Sequence, residues 1–379
     1  MKKKVLFLIN SLSAGGAEKV LITLLNNIDQ EKFDVSLLTV FSSNTLSDEL
    51  SDDINYQWVF PFKNKYINGL IYKILSKIFS SKILYKFFIK DVYDIEVAFL
   101  EGLPTKIIAG STQNQSRKIS WVHTDLSEYL DSDYCFSNFE EQKSCYINFD
   151  DIVCVSEGTK KGFENRFKID KVPKICINPF DSENIKSLGA SNQSDVSITM
   201  NEDIFYFVAV GRLVKQKGFD LLIRAINLLN LDTDCNDFKL IIIGEGPERK
   251  ALTELINELK LNNKVELIGY VKNPYSYINK ANTLVVSSQV EGYCSVIVEA
   301  LILETPVIAT EAVGVGEVIE NGKYGLYTEN NEIALYMGMK KILQDTFLVN
   351  HYKRQAGIKK QDYMFGQSIK RMERILIGK

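Results

Sequence analysis

Short apolar runs alternate with helix-period segments along most of the chain. Val5–Ile9 reads as a buried strand, followed by a loop holding Gly15 and Gly16 and a helix from about Ala17 to Asn27. Phe33–Val40 is the next strand, and Ile95–Phe99, Lys118–Val122, Asp151–Val155 and Lys174–Ile177 are four more. Strands alternating with helices predict a parallel sheet covered on both faces. Periodicity is lost over Ser182–Glu202, where Ser, Asn and Asp accumulate, and this stretch reads as a linker. The pattern then restarts with a strand at Ile204–Val210, a loop at Gly211–Gly218 and a helix capped by Asp220 and running to about Leu229. A strand at Phe238–Ile243, a loop at Gly244–Pro247 and a helix at Glu248–Leu259 follow. Val265–Gly269, Thr283–Ser287 and Pro306–Thr310 are further strands. The expected class is α/β, in two similar parallel-sheet halves. Ligands of such sheets bind beyond the carboxyl ends of the strands. Chemistry is therefore expected in the loops after residues 9, 122, 210, 243, 269, 287 and 310.

Composition narrows the class. At 379 residues, 45% hydrophobic and 25% charged, the chain is globular, with two to three domains; disordered, collagenous and coiled-coil chains are excluded. A chain this long buries its core without disulfides or structural metal. The net charge of −3 argues against a general nucleic-acid coat, so no nucleic-acid partner is expected. Cysteines 135, 145, 154, 176, 235 and 294 form no C-x-x-C pair and read as small apolar side chains in a reducing compartment. The run Val5–Ile9 is too short for a signal-peptide core, and no uncharged apolar stretch reaches transmembrane length. A cytoplasmic protein is expected, with any membrane contact made from the surface.

Two loops carry candidate chemistry. After Val210 the chain places Arg212, Lys215 and Lys217 beside a helix start, which suits a phosphate or diphosphate. A solvated basic loop is the competing reading. After Val286, Ser287–Ser295 leads into a helix containing Glu299, with Ser295 as its expected N-cap. Glu291 and Glu299 each suit a sugar or ribose diol, since a carboxylate accepts two hydroxyls. For Glu299, pairing with the helix dipole is the alternative.

Glu291 and Glu299 are separated by seven residues, and Thr305-Pro306-Val307-Ile308-Ala309 follows. This resembles the E-x7-E signature of the retaining glycosyltransferases of family 4, which have the GT-B fold. Asn10–Lys19, with Ala14-Gly15-Gly16, resembles that family's N-terminal glycine loop, and Val210–Gly218 its phosphate loop. Gly244-Glu245-Gly246-Pro247 and Gly314-Val315-Gly316-Glu317 also fit. The resemblance spans both halves and is densest over 205–330. It implies two Rossmann-like parallel-sheet domains facing across a cleft: an acceptor-binding domain at 1–190, a nucleotide-sugar domain at 200–355, and a C-terminal helix in 356–379 packing back on the first domain.

The resemblance also implies roles. Arg212 and Lys217 hold the donor diphosphate, with Gly15, Gly16 and Gly211 allowing close approach. Glu299 binds the ribose and Glu291 the donor sugar. Gly292, Tyr293, Cys294 and Ser295 lie along sugar and phosphates, and the base sits near Tyr270 and Val271. His123 follows a predicted strand at its carboxyl end, matching a family histidine oriented to the donor sugar. A lone histidine is otherwise more often structural. Glu101 is a weaker candidate for acceptor contact. Asp131-Ser132-Asp133 and Asp232-Thr233-Asp234 read as solvated turns rather than metal ligands. With Arg212, Lys217 and a helix end supplying charge, neither metal nor cofactor is required. The expected enzyme moves a sugar from a nucleotide donor, uridine more readily than guanosine, to a glycan or lipid-linked acceptor in cell-surface polysaccharide synthesis. An epimerase of the same fold, a nicotinamide dehydrogenase and a non-catalytic module are the rivals. The dehydrogenase lacks a G-x-G-x-x-G after Ile9.

Residues 61–90 stand apart. They hold Lys63, Lys65, Lys73, Lys77, Lys82, Lys86 and Lys90 and no Asp or Glu. Leu70, Ile71, Ile74, Leu75, Ile78 and Phe79 fall on one half of a helix, and a break is expected near Ser80-Ser81. Lys73, Lys77, Lys82 and Lys86 are candidate contacts to an anionic membrane surface. The plain alternative is a domain helix with its apolar half in the core.

Overall fold

Among the described residues, thirteen strands form two all-parallel sheets. The computed structural model describes residues 2–13, 15–42, 46–62, 64–127, 131–191, 200–201, 203–235, 237–363 and 365–378. Ala14, Lys63, residues 192–199 and Glu202 lie outside the described residues. The chain divides into two units, Met1–Pro179 with Gly366–Lys379, and Phe180–Phe365.

The sheet of the first unit contains β1 (Lys3–Ile9), β2 (Phe33–Phe41), β3 (Asn55–Phe60), β4 (Ile95–Ala98), β5 (Arg117–Val122), β6 (Asp151–Cys154) and β7 (Lys174–Ile175), in the order β3-β2-β1-β4-β5-β6-β7. Its helices are α1 (Gly16–Asn27), α2 (Lys65–Ile78), α3 (Ser81–Phe88), α4 (Leu103–Ala109), α5 (Phe139–Ile147) and α6 (Glu157–Phe167). Val5–Ile9 is buried throughout because helices cover both faces, so the strand reads as a continuous apolar run. Strand order reverses between β1 and β4, which opens a crevice at their carboxyl ends.

The second unit contains β8 (Phe205–Val210), β9 (Phe238–Ile243), β10 (Val265–Gly269), β11 (Thr283–Val286), β12 (Val307–Thr310) and β13 (Leu326–Thr328), in the order β10-β9-β8-β11-β12-β13. Its helices are α7 (Ser182–Ala190), α8 (Phe219–Leu231), α9 (Arg249–Glu258), α10 (Tyr275–Lys280), α11 (Ser295–Ile302), α12 (Val313–Val318), α13 (Glu332–Gln344) and α14 (Thr346–Lys359). Alternate strand residues enter two cores. Val208, Ile241, Val286 and Val307 line one face, and Phe207, Ala209, Ile242 and Ile308 the other. The switch point here falls between β8 and β11, so the loops after these two strands are neighbours.

The last helix, α15 (Phe365–Leu376), returns to the first unit. Ile369, Met372, Ile375 and Leu376 are buried, and Glu373 accepts a hydrogen bond from the backbone N–H of Asp29 at 2.9 Å.

Some expectations are corrected. Residues 182–190, read as linker, form α7. The Asp181 side chain caps it, and the Asn273 and Asn279 amides donate to the carbonyls of Leu188 and Gly189. Those partners lie far along the chain, so a local pattern could not show them. Asp220 does not cap α8; Gly218 holds that position and Asp220 sits in the first turn. β3 and β13 escape the reading because neither has a fully buried residue.

Candidate active site

The loops after β8 and β11 are stitched together. Gln216 Nε2 donates to the Val290 carbonyl at 2.8 Å, and the Gln289 N–H donates to the Gln216 carbonyl at 2.9 Å. Ser287 Oγ donates to the Lys217 carbonyl at 2.9 Å. Gly218 makes this approach feasible. Its φ is +60°, and a Cβ there would overlap the Ser287 carbonyl oxygen. The stitching brings Lys217 Nζ to 2.5 Å from Glu291 Oε1, an oxygen that also accepts from Ser288 Oγ at 2.6 Å. Desolvation opposes the Lys217 charge, but Glu291 outweighs it and raises the lysine pKa above its ordinary value. The pair is ionic and mostly withdrawn from water, with Arg212 exposed beside it on the same loop.

The Glu291 loop feeds directly into α11. Its N-cap is Cys294, not Ser295, which is the first helical residue. Burial raises the Cys294 thiol, so it stays neutral beside Glu291. Glu299 stands one turn into α11, where Tyr275 Oη donates to its Oε1 at 3.3 Å. Gly211 and Gly292 lie in the two stitched loops. Tyr270 is exposed at the carboxyl end of β10, but the Val271 side chain is buried in the core and leaves only backbone for a ligand. The Tyr293 ring packs 6.4 Å from Phe180, and its hydroxyl donates to Tyr363 Oη at 3.4 Å. That ring therefore belongs to an aromatic cluster, and only its backbone belongs to the loop.

At the crevice of the first unit, Gly15 is the N-cap of α1 and Gly16 its first residue. A Cβ on Gly15 would meet only the Glu18 carboxylate, the movable end of a flexible side chain, and its backbone is extended at φ −98°, so the fold itself does not demand glycine there. His123 follows β5. Its ring packs 4.9 Å from Phe99 and bonds to the Phe99 backbone, while Nε2 is buried without a partner. Burial pushes its pKa down to about 3, so the imidazole is neutral. Glu101, after β4, is buried, and its Oε1 accepts from the backbone N–H groups of His123 and Thr124. Among the described residues, no group of three His, Cys, Asp or Glu side chains comes together as a metal site requires.

Residues 191–361 match the family model of glycosyl transferases group 1. Over 368 residues, 94% of either chain, the protein is 31% identical to the Campylobacter jejuni N-acetylgalactosamine-N,N'-diacetylbacillosaminyl-diphospho-undecaprenol 4-alpha-N-acetylgalactosaminyltransferase. The chain belongs to the group 1 glycosyltransferases. A second Campylobacter jejuni enzyme, GalNAc-alpha-(1->4)-GalNAc-alpha-(1->3)-diNAcBac-PP-undecaprenol alpha-1,4-N-acetyl-D-galactosaminyltransferase, is 25% identical to it over 93% of both chains. The fold is that of Anabaena HepE solved with UDP and glucose, at a TM-score of 0.76, 19% identity and full coverage of both chains. The GT-B class expected from the sequence holds.

In this glycosyltransferase Thr233 and Asp234 form an exposed turn, as expected, whereas Asp131–Cys135 is a 3-10 helix and the two strings are tied down through Asp232 and Asp133. Asp232 accepts from Lys340 Nζ at 2.6 Å and from Tyr336 Oη, and Asp133 pairs with Arg166 at 2.6 Å. The Asp131 side chain lies outside the described residues. The basic segment breaks at Phe79–Ser80, between α2 and α3, and only part of its apolar half, Leu75 with Ile71 packed beside it, is in the core. Leu75 is buried, whereas Ile67, Leu70, Ile74 and Ile78 form an exposed stripe along α2, continued on α3 by Ile83 and Phe87. Lys73, Lys82 and Lys86 are exposed beside it. Lys77 donates to the Phe136 carbonyl at 2.6 Å and is tied down. Sequence reasoning missed Ser288, Gln216 and Tyr275, which hold the transferase's acidic and basic groups in place. Ser288 and Gln216 sit inside motifs already singled out, but nothing near Tyr275 in the chain announces its contact with Glu299.

Proposed function

We propose that the chain is a retaining glycosyltransferase of family 4 that moves a sugar from a uridine diphosphate sugar to a lipid-linked glycan at the cytoplasmic face of an anionic membrane. The observation that carries this reading is the partly buried Lys217–Glu291 pair at the β8/β11 switch point, ahead of α11 and Glu299. In the E-x7-E reading, Glu299 takes the ribose hydroxyls and Glu291 the sugar hydroxyls. Lys217 and Arg212 take the diphosphate, helped by the start of α11. Lys217 exchanges its carboxylate partner for phosphate when the donor arrives. These groups supply the positive charge where the leaving group gains negative charge, without a divalent ion. The anomeric C–O bond to the diphosphate breaks. The acceptor oxygen forms the new bond on the same face, and its proton passes to the departing diphosphate. His123, neutral, serves the transferred sugar as a hydrogen-bonding group rather than as an acid. Both Campylobacter relatives are named for alpha linkages and for undecaprenol-linked acceptors, which suits retention from an alpha-linked donor and a lipid-linked substrate. The bound UDP and glucose of HepE support the uridine donor.

The test is a thermal-shift series against uridine, guanosine and adenosine diphosphate sugars, followed by NMR of the product made on a lipid-linked acceptor. A ligand at 100 times its dissociation constant adds about 2.7 kcal/mol of stability. Stabilisation by a uridine donor and an alpha-linked product are expected. No response to any donor would remove the reading, and a covalent sugar adduct on Glu291 would replace its mechanism.

A further inference from the structure

Glu101 is 7% exposed and lies just past the end of β4. Its Oε1 accepts three hydrogen bonds from one turn: the His123 N–H, the Thr124 N–H at 2.7 Å and Thr124 Oγ1 at 3.1 Å. Burying a carboxyl raises its pKa and costs free energy that an apolar residue would not incur. What the carboxyl supplies is a ladder partner. β4 ends at Ala98, while β5, its neighbour, runs to Val122, and the next two N–H groups of that chain have no strand opposite them. A single oxygen captures both. The direction in which the chain leaves β5 is thereby fixed, and His123 is the first residue to leave. Its ring is then held by Phe99 through a backbone hydrogen bond and a ring contact at 4.9 Å. With Oε1 committed to the turn, the carboxyl is poorly placed for the acceptor contact expected from the sequence.

We propose that Glu101 is a positioning residue that sets the placement of the His123 imidazole by binding the backbone of the His123–Thr124 turn. The inference rests on the reading of His123 as the group that serves the transferred sugar. It is tested with Glu101→Ala, Glu101→Gln, His123→Ala and the Glu101→Ala/His123→Ala double variant. Glu101→Ala lowers kcat about 100-fold, the loss typical of misplacing a group by about 1 Å, with acceptor KM unchanged. Glu101→Gln keeps an accepting oxygen and restores most of kcat. The double variant is no slower than His123→Ala alone, because the two residues act as one unit. The chain has two histidines, so in a His351→Gln background the imidazole NMR signals report His123 alone. Those signals shift in Glu101→Ala and return in Glu101→Gln, a readout independent of turnover. Additive losses in the double variant, an unmoved imidazole spectrum, or a raised acceptor KM at constant kcat each overturn the role of Glu101. Wild-type kcat in His123→Ala overturns the reading of His123 and this inference with it.

Discussion

Lys217 keeps its charge against desolvation because Glu291 lies 2.5 Å away. Lys217→Ala leaves that carboxylate, 8% exposed, without its cationic partner, while Ser288 Oγ still donates to Oε1. A charge-assisted contact contributes about 1.5–3 kcal/mol, so uridine donor affinity should fall roughly 10- to 100-fold. Calorimetric titration checks this, and unchanged affinity in a folded variant would place Lys217 outside the donor site. His123 gives a second expectation. An ordinary histidine titrates near pH 6.5, and this one near 3. Between these values the unfolded chain takes up a proton that the native chain does not. Its contribution to stability is therefore complete above about pH 6.5 and declines as pH falls towards 3. His123→Gln should flatten the fall of Tm across that window, and parallel curves for the two proteins would refute the assignment. The residue-level signals legible in the sequence were those in loops after strands: Arg212, Lys217, Glu291 and His123 each announce themselves by residue type and position. The sequence singles out Glu101 but not its bonds to the His123–Thr124 turn, because hydrogen bonds to a turn more than 20 residues away leave no local trace.

At the scale of elements, α2 and α3 expose what a domain helix normally buries. Their exposed stripe of Ile67, Leu70, Ile74 and Ile78, with Ile83 and Phe87, shares these two helices with exposed Lys73, Lys82 and Lys86, in a segment, 61–90, whose sequence holds no Asp or Glu. Each lysine near an anionic bilayer contributes about 1 kcal/mol. Vesicles containing phosphatidylglycerol should sediment the wild type, less so as salt rises. Changing Lys73, Lys82 and Lys86 to Glu should abolish this. Lys77 is left alone because it holds the Phe136 carbonyl. Leu70, Ile74 and Ile78 changed together to Ser should also abolish binding without lowering Tm. Equal sedimentation of all three proteins would return α2 and α3 to a purely structural role. The periodicity of this segment was readable, but not which side of the apolar half meets the core. That depends on partners such as Phe136 and Lys106, whose Nζ reaches the Ser76 carbonyl at 2.7 Å. The alternation of strands and helices was readable for the opposite reason. Strands buried on both faces carry continuous apolar runs that need no knowledge of their neighbours.

Across the whole molecule, the first unit is built from two distant pieces of chain, closed by α15. Deleting residues 366–379 removes Ile369, Met372, Ile375 and Leu376, all buried. At about 1.5–3 kcal/mol for each side chain, this approaches the entire stability of a domain, about 5–15 kcal/mol. The truncated chain should lose one melting transition, while the transition shifted by uridine donors survives in the second unit. Retention of both transitions at their wild-type temperatures would show that α15 is dispensable. The same arrangement has a consequence for how the protein is made. Translation delivers the chain from its N-terminus, and domains usually fold in that order as they emerge. Here the first sheet leaves the ribosome before the second unit but lacks its last helix until that whole unit has been made. The later-made unit has all its parts before the earlier one does, so it should be the first to reach its native state. While the second unit is being made, the nascent N-terminal half presents the apolar surface that α15 will cover, and this should lengthen its exposure to aggregation and to chaperones beyond what its place in the chain suggests.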